Sequence, residues 1–403
     1  MEIWLLGAFW FLLALLADFL SIRLKIAVAL SEILVGLLVA FLIGIWLPEY
    51  SNFGSDVPWV QFLAGVGAVL LTFLAGAELD PEAIKGKIGE VLLIGLVGFF
   101  APFLGCTVIA YYLLGWSLMA SLLTGVALST TSVAVVYAVM LELGFNKTRF
   151  GKTVLAACFV NDLATVLALG FIFSPFTWKS VVFIAVAAIV LIILPKLTRY
   201  TFERWGHRHS EQEAKYLFFF LFGLGYLAFW SGSEPVLPAY LLGMVVASIL
   251  EKDHLLVKRL RAISFGLLTP FYFLRAGAFV SIPAIVKAPL MFLALFAAKM
   301  VTKGVGVYPA AKLSDYPEKD AIYTTLLMST GLTFGTISAL YGLSHQIIDQ
   351  NQYSLIVATV IASAIIPTLI ANAFFLPKHH LESHGKEYPD LPSREDQPGS
   401  RSK

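Results

Sequence analysis

Residues 128–132 read Leu-Ser-Thr-Thr-Ser, and residues 328–333 read Met-Ser-Thr-Gly-Leu-Thr. Both clusters of small hydroxyl residues lie in the middle of long apolar stretches, and Ser129 and Ser329 are 200 positions apart. Within a hydrocarbon layer, irregular backbone is tolerated only where protein or a water-filled cavity surrounds it. The two clusters therefore predict a pair of membrane helices that are broken near their midpoints. Small residues also occur at ordinary contacts between membrane helices, which is the alternative interpretation.

The apolar stretches around these clusters set the fold class. Reading between polar breaks separates thirteen apolar blocks of about 20 residues, the length that a helix needs to cross about 30 Å of hydrocarbon. The composition agrees, because 59% of the 403 residues are hydrophobic and only 13% are charged, whereas soluble domains are about 45–50% apolar and about 25% charged. We predict an all-α polytopic membrane protein with thirteen transmembrane helices, at 3–20, 28–46, 59–78, 90–114, 117–141, 152–173, 179–198, 215–231, 236–250, 262–281, 288–311, 320–343 and 353–376.

The positive charges in the loops predict the orientation, because cytoplasmic loops carry an excess of Lys and Arg. Alternate connections and the C-terminal tail carry 23 of the 28 cations, whereas the opposite connections hold only Lys179 and Lys287. We therefore expect the N-terminus outside, the C-terminus in the cytoplasm, and a multi-pass location in the plasma (cell inner) membrane. The tail, residues 378–403, is polar and rich in Pro, Ser and charge, so it is predicted to be disordered.

The two hydroxyl clusters fall in the fifth and twelfth predicted helices. An offset of seven helices is odd, so the two copies enter the membrane from opposite sides. Inverted-topology repeats with crossing broken helices are typical of secondary transporters, whose half-helix ends point at a binding site. The sequence thus predicts two copies, helices 1–6 and 8–13, joined by helix 7. The residues expected at the two breaks are Thr130, Thr131, Thr330 and Gly331.

Ionisable residues inside the predicted helices are candidates for function, because a charge in hydrocarbon is costly and usually marks a pathway or a pair. The deepest acid is Asp162, which follows Asn161 near the middle of the sixth predicted helix. Burial disfavours the charged form of a carboxylate. Asp162 is therefore predicted to bind either a proton or a small hard cation such as Na⁺, which prefers oxygen ligands. The alternative is a structural partner for a buried Lys or Arg.

Three cations remain inside the predicted helices: Arg275, Lys299 and Lys303. Lys299 and Lys303 are four residues apart and share one helix face. Lys303 is expected to pair with Asp162, while Lys299 packs through its stem or reaches toward the interface. Arg275 stays charged and needs a permanent partner or water, so it is either structural or lines the pathway. Glu78 closes the third predicted helix, where an ordinary interfacial charge is the alternative to a pathway role.

Several function classes find no support in the sequence. The net charge of +2 gives no general attraction to nucleic acid. The sequence contains no Walker-type phosphate loop, zinc-protease motif, nucleophile elbow, potassium-channel filter or voltage-sensor arginine repeat. Cys106 and Cys158 lie in apolar stretches and are expected to be packing residues. We therefore expect neither an enzyme nor a cofactor, and nothing favours an ion channel.

Thr130-Thr131-Ser132, followed about 30 residues later by Asn161-Asp162, resembles the monovalent cation:proton antiporters, and most of all their Kef-like and NapA-like branch. Further matches are Phe73-Leu-Ala-Gly-Ala-Glu78-Leu and Lys303-Gly-Val-Gly306. The resemblance extends over all thirteen predicted helices in order.

The resemblance implies a NapA/NhaA-like fold and a homodimer that works by an elevator-like movement. Within a transporter domain at 1–377, helices 4–6 and 11–13 would form the ion-translocating core. Helices 1–3 and 8–10 would form the dimerisation part, with helix 7 as the linker. Asp162 would match the family's shared cation and proton site, with Asn161, Thr130 and Thr131 beside it. Lys303 would match the lysine that pairs with the aspartate.

Two departures from the family pattern bear on mechanism. Asn161 stands where electrogenic relatives have a second aspartate, which implies electroneutral exchange, although the retained Lys303 resembles the electrogenic branch. Thr330-Gly331-Leu332 replaces a charged Arg-Gly-Glu-like stretch, which leaves selectivity open. We expect exchange of Na⁺ for H⁺ in sodium transport and pH homeostasis, with Na⁺ (or K⁺ or Li⁺), H⁺ and the lipid bilayer as partners. The alternatives are a K⁺/H⁺ antiporter and a sodium-coupled organic-solute symporter of similar fold.

Overall fold

The computed structural model describes residues 3–24, 26–46, 53–77, 87–142, 145, 148–173, 177–205, 211–233, 235–250, 253–377 and 379–382. The regular elements in these ranges are helices, and ten helical stretches are long and apolar enough to cross a membrane. Large apolar side chains cover the outside of the bundle, and Trp4, Ile192 and Leu290 are exposed by 89%, 75% and 79%. A surface of this kind suits lipid rather than water. The predicted all-α, multi-pass membrane class is confirmed at this level.

The described residues form eighteen α-helices, some of them short. In chain order they are α1 (Ile3–Leu24), α2 (Val28–Trp46), α3 (Pro58–Ala77), α4 (Ile88–Val108), α5 (Leu118–Ser129), α6 (Val133–Glu142), α7 (Arg149–Phe173), α8 (Trp178–Trp205), α9 (Gln212–Ser231), α10 (Val236–Leu250), α11 (His254–Ile263), α12 (Thr269–Ala278), α13 (Ile282–Lys287), α14 (Pro289–Leu313), α15 (Glu318–Met328), α16 (Thr333–Ser344), α17 (Gln350–Phe374) and α18 (His379–Glu382). π-Helical turns extend α4 over Ile109–Leu113 and join α11 to α12 over Ser264–Leu268.

The tenth predicted helix, 262–281, begins later in the sequence than the helical segment observed there. The segment starts with α11, which carries the basic residues Lys258, Arg259 and Arg261. A basic amphipathic helix has low mean hydropathy, so a search for apolar blocks passes over it. The apolar part that was predicted corresponds to the π-turn and α12.

Two apolar stretches are interrupted at the clusters that the sequence singled out. Helix α5 ends at Ser129, Thr130 is extended with φ −62° and ψ 152°, and α6 begins at Val133. Helix α15 ends at Met328, and α16 begins at Thr333 after a non-helical Leu332 with φ −148° and ψ −73°. Both interruptions are buried, so their backbone groups need partners within the protein.

Capping residues set the starts of α5 and α17. Ser117 precedes α5, and its hydroxyl accepts the Ala120 N–H at 3.2 Å. Asp349 precedes α17 and forms a capping box: its carboxylate accepts the Gln352 N–H at 2.8 Å, and the Gln352 side chain accepts the Asp349 N–H at 3.0 Å. Each cap satisfies backbone donors that have no partner within the helix.

The helices pack in two groups. In the first, α2 lies against α12, and α3 lies against α10, which also contacts α8. At the α2–α12 contact, Gly36 faces the carbonyl of Leu274 and Gly277 faces the carbonyl of Ile33, so closely that a Cβ on either glycine would overlap the opposite backbone. In the second group, α4 packs against α5, α7 and α14, while α16 lies against α5 and α17. Buried apolar residues of α4, α7, α14 and α15 form one hydrophobic cluster within this second group.

The structure describes residues 379–382, which belong to the tail predicted to be disordered over 378–403. These residues form the short helix α18. The His380 ring stacks on Phe150 of α7 with centroids 4.6 Å apart, and its Nε2 lies 2.6 Å from a carboxylate oxygen of Asp320. Contacts with two core helices therefore order this segment. Residues 378 and 383–403, which belong to the same prediction, lie outside the described residues.

Candidate functional site

The two helix breaks meet and satisfy each other's backbone. The Ser132 N–H donates to the Thr330 carbonyl at 3.0 Å, and the Thr131 hydroxyl donates to the Met328 carbonyl at 2.8 Å. All four residues are buried. Polar groups that the breaks remove from helical hydrogen bonding thus find partners across the contact, which is the condition for irregular backbone at membrane depth.

The hydroxyl side chains explain why the two helices end where they do. Thr130 donates to the Ala127 carbonyl at 3.1 Å, and Thr330 donates to the Leu327 carbonyl at 2.7 Å. Both bonds run three residues back and satisfy carbonyls in the last turn of a helix. Threonine side chains compete in this way with helical hydrogen bonds. The same local device therefore closes α5 and α15.

Gly331 allows the two breaks to approach. A Cβ at this position would collide with Nζ of Lys299 and would lie 3.0 Å from the Thr130 hydroxyl. Any larger residue would therefore have to push the breaks or the Lys299 ammonium apart. The structure brings together the four residues that the sequence predicted at the two breaks: Thr130, Thr131, Thr330 and Gly331.

Asn161 supports the first break from α7. Its Oδ1 accepts the Thr131 N–H at 3.0 Å, and its Nδ2 lies 3.5 Å from the Gly95 carbonyl of α4. Asn161 has no solvent exposure, so this acceptor replaces water for a backbone donor that the break has freed. The described contacts of Asn161 are therefore with the backbone of the neighbouring helices.

Asp162 lies next to Asn161 and is 2% exposed. Its Oδ1 has no hydrogen-bond partner, and the described residues include no ion pair with this carboxylate. One turn earlier on α7, the Phe159 carbonyl accepts a hydrogen bond from the Tyr240 hydroxyl of α10 at 3.0 Å. Burying a charged carboxylate without a partner costs several kcal/mol. Asp162 therefore offers an oxygen that a proton or a cation would stabilise.

Lys303 and Lys299 of α14 are both fully buried. Lys303 Nζ donates to the Thr131 hydroxyl at 3.0 Å, which in turn donates to the Met328 carbonyl. Lys299 Nζ has no hydrogen-bond partner and lies against Gly331. The expected pairing of Lys303 with Asp162 is absent among the described residues, because the lysine reaches the hydroxyl of the first break instead. Both ammonium groups therefore lie against the breaks.

Arg275 lies apart from this group. Its Nε donates to the Ser55 carbonyl at 3.0 Å, and its guanidinium lies 4.8 Å from the centre of the Phe279 ring. It lines an apolar cavity of about 660 Å³ between α3, α9, α12 and α16, together with Tyr272. Arg275 thus has the permanent partners that the sequence required of it. Glu78, the remaining predicted residue, lies outside the described residues.

Two contacts of the site were not foreseen from the sequence. Tyr240 binds the α7 backbone near Asp162, and Ser132 donates its N–H across the breaks. Ser132 belongs to the hydroxyl cluster at 128–132, so the sequence marked this position. Tyr240 is one aromatic residue in an apolar stretch, and no local pattern marks it.

The comparisons with known proteins agree with this architecture. The family model for the transmembrane sodium/hydrogen exchanger matches residues 11–376. The chain is 28% identical to a probable Na⁺/H⁺ antiporter 3 of Methanocaldococcus jannaschii, over 79% of this chain and 84% of that protein. It is 27% identical to the Na⁺/H⁺-K⁺ antiporter GerN of Bacillus cereus, over 89% and 93%.

A solved structure extends the comparison to the fold. The sodium proton antiporter MjNhaP1 from Methanocaldococcus jannaschii superposes on the chain with a TM-score of 0.71 at 16% identity, and the match covers 96% of this chain and 100% of that one. The similarity of the two folds therefore extends over nearly the whole helical bundle.

Proposed function

Because the chain belongs to the sodium/hydrogen exchanger family, whose members are transporters and not enzymes, we propose that it exchanges Na⁺ for H⁺ across a membrane. Asp162 is the shared site for both ions. The resemblance to the monovalent cation:proton antiporters drawn from the sequence is confirmed at the level of the superfamily.

One observation carries the proposed site: the buried Asp162 Oδ1 has no hydrogen-bond partner. A carboxylate in an apolar interior is unfavourable while charged and empty. A bound proton or a bound Na⁺ removes that charge, and Na⁺, as a hard cation, is suited to oxygen ligands. Since both ions use one oxygen site, binding of either excludes the other. Such competition is what antiport requires.

The paired breaks support alternating access. In this proposal, their half-helix ends and buried hydroxyls form a crossing of the kind found in transporters with inverted repeats. We assign the copies to the thirteen predicted transmembrane helices, with helices 1–6 and 8–13 in opposite orientation. The positive charges of the loops favour an N-terminus outside and a cytoplasmic C-terminus.

The packing supports a division into two moving parts. The backbone contact between α2 and α12 and the contact of α3 with α10 favour one rigid unit, the dimerisation part. Helices α4 to α7 and α14 to α17 would form the core that carries Asp162, with α8 as the linker. In this proposal the core slides against the dimerisation part of a homodimer.

The stoichiometry follows from the neighbour of Asp162. Asn161 is neutral and is engaged with the Thr131 N–H, so only one carboxylate of this pair changes charge. One proton then exchanges for one monovalent cation, and transport is electroneutral. Buried Lys303 bonds to Thr131 and needs no change of charge in this cycle.

Exchange by the purified protein in liposomes tests the proposal. Asp162→Asn keeps the shape and removes the charge, so Na⁺-dependent dissipation of a pH gradient should be lost. Glu32→Gln is the matched control, because Glu32 is an equally buried acid in α2 and should leave exchange intact. Exchange retained in Asp162→Asn would overturn the assignment of the site.

The same liposomes distinguish the competing functions. Na⁺, Li⁺ and K⁺ are supplied in turn with the membrane potential clamped. Exchange with K⁺ alone would favour a K⁺/H⁺ antiporter, and rates that follow the clamped potential would contradict electroneutral exchange. Na⁺ uptake that occurs only with an organic solute would favour a symporter.

A further inference from the structure

A second group of ionisable side chains lies at the opposite end of α15 from the break. Asp320 is in the first turn of α15, and His379 and His380 belong to α18. His380 Nε2 lies 2.6 Å and His379 Nε2 lies 3.3 Å from the same oxygen, Asp320 Oδ2. Each of the three residues offers one ligand atom, and these three atoms all lie within 4.8 Å of one another.

The donor set is that of a zinc site. Two imidazole nitrogens and one carboxylate oxygen are the protein ligands of several zinc sites that keep a fourth position for water. Bonds of about 2.0–2.2 Å in a tetrahedron place ligand atoms about 3.3–3.6 Å apart. The His379–Asp320 separation of 3.3 Å fits that spacing, whereas His380 would have to withdraw by about 0.7 Å from its hydrogen-bond distance.

A second observation points to a ligand at this place. Asp320 is 2% exposed, and its other oxygen, Oδ1, is buried without a hydrogen-bond partner. The N-terminus of α15 stabilises the negative form of this carboxylate through the helix dipole. A buried carboxylate with an oxygen that lacks a hydrogen-bond partner is an incomplete arrangement unless a cation completes it.

The surrounding residues hold the ligands in place. Phe150 of α7 stacks on the His380 ring at an interplanar angle of 7°, which restricts the orientation of the imidazole. His379 is 54% exposed, so a metal ion has access from solvent. A rigid carboxylate, an oriented imidazole and an accessible imidazole together form a site that requires little rearrangement.

We propose that Asp320, His379 and His380 bind one divalent transition-metal cation, and that Zn²⁺ is the preferred ion. Harder cations such as Mg²⁺ and Ca²⁺ are disfavoured because two of the three ligands are imidazoles. The bound ion joins α18 to the first turn of α15, the helix that ends at the second break, and to α7 through Phe150. This site is separate from Asp162 and does not depend on the proposed transport function.

Metal binding to the full-length chain in detergent tests the proposal directly. The chain is purified through a tag without histidine, stripped with a chelator and titrated with ZnCl₂, and bound zinc is counted per chain. In parallel, Co²⁺ replaces zinc, because a tetrahedral site produces intense visible absorption. The wild type should bind one ion, and His379→Gln and His380→Gln should each lower the affinity for it by about tenfold or more.

His345→Gln is the matched control, since the hydrogen bond and the ring contact that the structure describes for His345 are both with Tyr341, one turn earlier in the chain; this variant should bind zinc as the wild type does. His379→Gln alters an exposed side chain, so a folded variant is expected. Equal zinc affinity in wild type and His379→Gln/His380→Gln would overturn the proposal. Thermal stability that depends on pH but not on zinc would overturn it too, because the histidines would then act only as proton-dependent partners of Asp320.

Discussion

Replacing Asn161 by alanine tests whether this side chain supports the first helix break. Asn161 Oδ1 accepts the Thr131 N–H at 3.0 Å, and both residues are fully buried. Alanine leaves that N–H without a partner, which costs about 1–3 kcal/mol, and it also leaves a cavity where the amide was. We expect the free energy of unfolding to fall by at least this amount.

The assay is equilibrium unfolding of the purified protein in detergent, followed by tryptophan fluorescence. Thr165→Val is the matched control on the same helix, because the buried Thr165 hydroxyl donates to the Asn161 carbonyl at 3.0 Å. Valine is close in shape and leaves no donor unpaired, so its cost should stay below about 1 kcal/mol. Equal losses in the two variants would refute the role of Asn161 as the support of the break.

Three further predictions use the same unfolding assay. Gly331→Ala should cost about 1–3 kcal/mol, because its Cβ would meet the Lys299 ammonium in a packed interior. Gly304→Ala, where a Cβ meets nothing within 4 Å, should be neutral or slightly stabilising. Equal changes in the free energy of unfolding for the two glycine variants would contradict the crowding at the breaks. Lys299→Met removes a buried cation without a hydrogen-bond partner and should stabilise the protein by about 1–4 kcal/mol; a loss would show that the ammonium has an essential partner. Burial and the hydrogen bond to Glu90 raise the pKa of Tyr316 above its usual value, so the cost of Tyr316→Phe should stay constant up to about pH 10, the pKa of an unfolded tyrosine, and decline above it; a cost that varies between pH 6 and 9 would contradict this.

The parts of the fold that were predictable depend on local sequence. The break at 130–132 was found because hydroxyl residues stand out in an apolar block, and the structure shows the Thr130 hydroxyl bonded three residues back. Helix α11 was missed because its three basic residues lower its hydropathy. The ordered residues 379–382 were missed because their order depends on Phe150 and Asp320, which are far away in the sequence.

The parts of the site that were not predictable depend on packing between distant segments. Asp162 was identified because a lone acid in an apolar helix is visible in the sequence itself. The partner of Lys303 could not be identified in this way. The choice between Asp162 and Thr131 depends on how α14 packs, and Thr131 is 172 residues away from Lys303 along the chain. Likewise, only the assembled helices place the Lys299 ammonium against Gly331.

The hydrogen bonds between the two breaks also constrain how the protein is made. Thr131 donates to a carbonyl that is synthesised 197 residues later. The Ser132 N–H likewise lacks its acceptor until Thr330 has been synthesised. Until that second segment enters the bilayer, the first break holds polar backbone groups that lipid cannot satisfy. The N-terminal half therefore reaches its final form only after α15 and α16 have been inserted. A chain that stalls before that point presents an unfinished helix pair to the bilayer.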